Sequence, residues 1–281
     1  MTLRQVDELI TLHELPNAEK EVITEGKVDA CILEWFLRSR DIQTPVYCRM
    51  ERIEGDEDAV KKYGYSIGER GFVLAASRIV DQHPKAAASI TFVVDGDFDH
   101  SLNPPVPSGQ SLLVTDYSCI ESYCFHSTIL EKFLRLILRA SGAITAASLL
   151  DGIRQTLTDV FVSRWILNNI GSGVGIVSRV TRRCTLEGPQ LVLNSLALMR
   201  DAIQASDSRV AKKMTDEYLM TRFAEESAKL VGIDTRFTLN GHDLAVGTVQ
   251  EGDAFVRAVA GGQLELVDVV NWIESHARPL L

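Results

Sequence analysis

The chain has 281 residues, 46% of them apolar and 24% charged, a balance that fits a soluble globular protein of one large or two small domains and excludes fibrous and disordered classes. Its 29 basic and 38 acidic residues leave a net charge of −9, which argues against a broad basic surface for non-specific nucleic-acid binding. An acidic cluster loaded with divalent cations would nevertheless reverse its local sign and receive phosphates.

No run of about 18 or more uncharged apolar residues occurs, and the N-terminal stretch has no basic flank followed by an apolar core, so a cytoplasmic protein with no membrane association is expected. The five cysteines, Cys31, Cys48, Cys119, Cys124 and Cys184, contain no CxxC pair and sit mostly among apolar neighbours. They read as small buried hydrophobes and exclude a zinc or disulfide framework.

In chain order, EVIT (Glu21 to Thr24) reads as a short strand, followed by an EGK turn and the helical segment VDACILEWFLRSR. Val28, Ile32, Trp35 and Phe36 recur there at helical spacing, which predicts one buried face. A second strand is expected in PVYCRMERI, a helix from about Gly68 to Gln82, and a third strand in AASITFVV ending at Asp95. After the loop SLNPPVPSGQ, a fourth strand, SLLVTD, leads to a helix opening near Ser118. Short apolar strands alternating with helices predict an α/β fold, a mainly parallel sheet covered by helices.

From about Phe125 to Leu230 long amphipathic segments follow one another, a helical block interrupted near GSGVG and at LEGPQ. GSGVG matches no phosphate-loop pattern and reads as a break between helices. The tail RFTLNGHDLAVGTVQ looks like a strand and turn returning to the sheet, and a last helix is expected over about Leu264 to His276. The resulting division is an α/β core of residues 1–124 and 235–281 and a helical subdomain of 125–234.

Open parallel sheets carry their functional groups at the carboxyl ends of the strands. Here those ends bring Glu25, then Asp95 and Asp97 of VVDGDFDH, then Asp116, Ser118 and Glu121. So many carboxylates repel one another, and a divalent cation with hard oxygen ligands, Mg2+ or Mn2+, resolves the repulsion. A calcium loop is the competing reading of DxDxD and matches its first three ligands, but His100 stands where glycine is needed and Val106 where the final glutamate should be. A solvated turn remains open for the DGD residues, as simple helix capping does for Asp29. Arg179, Arg182 and Arg183 are either a solvated face or a phosphate-tracking surface.

The ordered set EGKVD, DGD and SCIE resembles the Toprim domain, the metal-dependent catalytic module of topoisomerases, primases and overcoming-lysogenization-defect (OLD) nucleases. The fuller string, VITEGKVDACIL, FVVDGDFD, TDYSCIESYCF and NGHDL, is similar to the DUF4435 proteins, OLD-like Toprim proteins found beside ABC-type or AAA ATPases in anti-phage systems such as PARIS. The resemblance covers about residues 20–124 and 235–250. It implies a nuclease with two Mg2+ or Mn2+ ions, in which Glu25 is the leading acid, a metal ligand or general acid/base. Asp95 and Asp97 would bind metal, Ser118 and Glu121 would complete a second metal site, and Asp29 would support the first. OLD-like nucleases place a late lysine near the scissile phosphate, whereas this chain has Asn240 and His242; Lys27 or His242 could substitute for that cation, and an ordinary turn histidine stays open for His242. The resemblance further implies a nucleic-acid substrate, transfer RNA slightly ahead of DNA, an ATPase partner and compatibility with a homodimer. A non-catalytic module that docks such an ATPase is the alternative.

Overall fold

The computed structural model describes residues 3–103, 105–124, 127–132, 135, 145–172, 176, 180–187 and 190–238. The chain divides into two compact units. The first runs to Gly96 and resumes over Pro105–Asp116; the second takes Asp97–Pro104 and the described residues from Tyr117 onward. The division thus passes through the DGD motif.

The first unit runs α1 (Val6–Glu14), β1 (Glu21–Thr24), α2 (Lys27–Arg38), β2 (Val46–Cys48), α3 (Arg49–Arg52), α4 (Glu57–Lys62), α5 (Glu69–Val80), α6 (Pro84–Ala87), β3 (Ile90–Val94) and β4 (Leu112–Val114). The four strands form one all-parallel sheet in the order β2-β1-β3-β4. Ile23 stands in register with Tyr47 on one side and Phe92 on the other. The run ITFVV of β3 lacks polar alternation because the strand is central, and four of its five residues are buried. Leu9, Ile23, Ile53, Val73, Ile90 and Phe92 belong to one apolar core that joins α1 and α5 to the sheet.

Helix α2 forms over the expected span, yet its apolar stripe stays uncovered. Val28, Trp35 and Phe36 are 49%, 55% and 42% exposed, and no residue of the helix is fully buried. The reason is length: α2 packs chiefly on β2 and β1, which have three and four residues. Such strands span roughly 10 and 13 Å, against roughly 18 Å for a twelve-residue helix.

The second unit holds α7 (Ser127–Lys132), α8 (Ala146–Asn169), β5 (Cys184–Glu187), β6 (Gln190–Leu193), α9 (Ser195–Ala205) and α10 (Asp216–Lys229). Its core gathers Val160, Phe161, Leu198, Met199 and Leu219, with Phe98 packed against it. The expected break at LEGPQ is an antiparallel hairpin, β5 with β6, so the block is not purely helical. In the sequence a Gly-Pro pair signals a turn and CTLE before it alternates, whereas LVL after it does not. The helix expected near Ser118 is a 3-10 turn over Ile120–Cys124. The tail begins with a 3-10 turn, Thr235–Phe237, where a strand was expected; the rest of that strand and the final helix lie outside the described residues. No described helix is long and apolar enough to cross a membrane.

Candidate active site at the carboxyl edge of the sheet

The chain leaves β1 toward β2 on one side of the sheet and leaves β3 toward β4 on the other. The adjacent carboxyl ends of β1 and β3 therefore form the topological switch point, the place where open α/β sheets bind ligands. Glu25 follows β1 and Asp95 follows β3. Regular pairing stops at Thr24 with Val93, and beyond it side chains take over from the ladder. The Asp95 N–H donates to Glu25 Oε1 at 2.9 Å. Arg70, in the first turn of α5, places Nη1 3.5 Å from the same oxygen and donates from Nη1 to the Asp95 carbonyl. The Glu25 and Arg70 side chains are only 19% and 22% exposed, so the pair is partly shielded from solvent.

The neighbouring positions extend this edge. Thr115 continues β4, its N–H donating to the Val94 carbonyl at 3.0 Å, and its hydroxyl accepts from the Gly96 N–H at 2.8 Å. Asp116 follows, exposed. Asp29 lies in the first turn of α2 and accepts from the Gly26 N–H at 3.0 Å, so its carboxylate caps that helix. Lys27 is 71% exposed and pairs with Glu51 at 2.9 Å; the pair raises the lysine pKa and lowers that of Glu51.

In the second unit, Asp97 adopts φ 43°, a left-handed conformation that Asp tolerates better than most residues. The close turn after β3 is thus made at Asp97. The Asp97 N–H donates to the Ser118 carbonyl at 2.8 Å, and Arg164 stands 3.9 Å from Oδ1. Ser118 is buried, and both its N–H and its hydroxyl donate to the Arg236 carbonyl. Asp99 is buried and accepts from Asn103, a contact within its own turn. Arg182 is exposed, while Arg183 forks onto Asp201 at 2.7 Å through both nitrogens. Glu121 lies in the 3-10 turn, but its side chain, like Arg179, Asn240 and His242, lies outside the described residues.

Among the described residues no group of three or more His, Cys, Asp or Glu side chains is arranged to hold a metal ion. The donor chemistry at the switch point still fits a hard cation. Mg2+ keeps several waters and is commonly bound through one or two carboxylates plus substrate phosphates, and Glu25 and Asp95 are the acidic residues that follow the adjacent strands β1 and β3.

Arg70 is the site residue that motif reading missed. Its signal was topological: a helix connecting parallel strands runs back against them, which brings its first turn to the carboxyl edge of the sheet. No known protein-family model matches the chain, and a comparison with curated proteins likewise finds no match.

Proposed function

We propose that the protein is a Mg2+- or Mn2+-dependent Toprim-type endonuclease of the DUF4435 kind, which hydrolyses phosphodiester bonds in nucleic acid, RNA such as transfer RNA ahead of DNA. One observation carries the reading: Glu25 and Asp95 follow adjacent strand ends at the switch point of a parallel four-stranded sheet, where the Asp95 backbone N–H donates to the Glu25 carboxylate at 2.9 Å. The ordered motifs EGKVD, DGD and SCIE support it.

A divalent cation, when bound, supplies an activated water and neutralises charge on the phosphate. Glu25 and Asp95 would hold it, with Asp97 and Glu121 as the further acids that the resemblance implies. In the alternative role that the resemblance implies, general acid/base, Glu25 would take a proton from the attacking water. An ATPase partner and a role as toxic effector in anti-phage defence belong to the same proposal.

The test is digestion of total cellular RNA and plasmid DNA with Mg2+ or Mn2+ by the wild type and by Glu25→Gln. Wild-type cleavage that falls by about 100-fold or more in the variant, with unchanged circular dichroism, is expected. A variant that cuts as well as the wild type overturns the assignment. A second reading, a docking subunit of an ATPase complex, is favoured by the uncovered Val28, Trp35 and Phe36 on α2. It gains if the wild type cuts neither nucleic acid, alone or with a candidate ATPase.

A further inference from the structure

We propose that Arg70 is a positioning residue of this site: its guanidinium holds the Glu25 carboxylate against the end of β3 in the orientation that divalent-cation binding requires. The proposal rests on the metal-dependent reading above and concerns how the protein builds that site.

Three contacts close a ring at the switch point. Glu25 Oε1 receives the Asp95 N–H at 2.9 Å and faces Arg70 Nη1 at 3.5 Å, and that Nη1 also donates to the Asp95 carbonyl. The backbone of Asp95 is therefore held at both of its polar groups, by an acceptor at its N–H and a donor at its carbonyl. This ring begins one residue past Thr24 and two past Val93, the last residues that β1 and β3 pair with each other. The two contacts to Oε1 restrain the Glu25 carboxylate.

The guanidinium stands on a built platform. Glu69, its neighbour in α5, is forked by Arg49, which is 8% exposed and also donates to the Ile53 carbonyl at 3.2 Å. On the other side, Gly71 lets the first turn of α5 close on the Ser66 carbonyl, where a Cβ would run into the oxygen. Both acceptors are reached from the one Nη1, whose direction the planar guanidinium fixes, whereas a lysine ammonium turns freely on its stem. A cation here also offsets the charge of the partly shielded Glu25 carboxylate. Lys27, the cation closest in sequence to Glu25, is paired with Glu51 instead.

A nearby positive charge repels a metal ion, whereas orientation of a ligand favours it. Loss of partners that orient metal ligands typically weakens binding or activity 10- to 100-fold, so orientation is expected to win. The experiment titrates Mn2+ into the full chain and follows the free ion by electron paramagnetic resonance, for wild type, Glu25→Gln, Arg70→Gln and Arg70→Lys. Binding by the wild type, its loss in Glu25→Gln, and a weakening of about 10- to 100-fold in Arg70→Gln with an intermediate value for Arg70→Lys are expected. Melting curves without metal accompany each variant. If Arg70→Gln does not fold, Arg70→Lys decides, and wild-type affinity in it overturns the proposal. Binding lost in Glu25→Gln but as tight as wild type in Arg70→Gln overturns the role of Arg70 alone. A wild type that takes up no Mn2+ overturns the metal-dependent reading and the role of Arg70 together.

Discussion

Gly71 shows how one methyl group can set the geometry of the site. An exposed glycine inside a helix ordinarily gains about 1 kcal/mol on replacement by alanine. Gly71 is buried in α5, and a Cβ there would meet the backbone carbonyl of Ser66, which cannot swing aside as a side-chain tip would. The sign therefore reverses: Gly71→Ala should destabilise by about 1–3 kcal/mol or more, measured as a lower denaturant midpoint. Because Arg70 is the preceding residue, the same variant should also weaken the Glu25 ion pair and lower cleavage. Unchanged stability would show that the first turn of α5 can slide away from Ser66.

Within single elements, α8 carries a cost that titration exposes. Burial raises the pKa of Asp159, and a hydrogen bond from Gln155 at 2.7 Å offsets this only in part. A carboxyl with a raised folded pKa binds more protons folded than unfolded between its ordinary and its raised value, so stability falls as pH rises through that window. At neutral pH the charged form is destabilising. Asp159→Asn should therefore melt higher than wild type at pH 7, with the difference shrinking as pH falls toward the ordinary carboxylate range. Thermal melts across that range check it, and a variant that melts lower at pH 7 overturns the account. The elements themselves were unevenly legible in the sequence. Strand β1 was read to the residue and β3 to its end, because short apolar runs bounded by turn residues admit few other placements. The hairpin of β5 and β6 was not, since four-residue strands inside helical surroundings carry little periodicity. For α2 the period was right and the burial wrong: spacing shows that a stripe exists, not whether a neighbour is long enough to cover it. At the site, the strand-end rule placed Glu25 and Asp95 together, whereas Arg70 stands 45 residues from Glu25, and only the fold joins them.

For the molecule as a whole, the two units have separate apolar cores that share no residue. Phe92, 0% exposed, sits in the core of the parallel sheet, and Phe161, 1% exposed, in the core of α8 and its neighbours. Each phenylalanine buried to this degree should cost about 3–5 kcal/mol when cut back to alanine. A chain whose stability is divided between two cores departs from a single all-or-none transition, since each core is lost with its own free energy. Chemical denaturation followed by circular dichroism should accordingly show Phe92→Ala lowering one midpoint and Phe161→Ala the other. Trp165, whose ring centroid lies 5.1 Å from that of Phe98, offers a fluorescence probe for the second transition. The chain passes from one unit to the other between Gly96 and Asp97, so the DGD motif takes one acid from each. Asp95 is anchored by Glu25 and Arg70, and Asp97 by the Ser118 carbonyl, so loss of either core releases one of the two acids. A single transition moved equally by both substitutions would show instead that the cores unfold as one and that the motif is held by the chain as a unit.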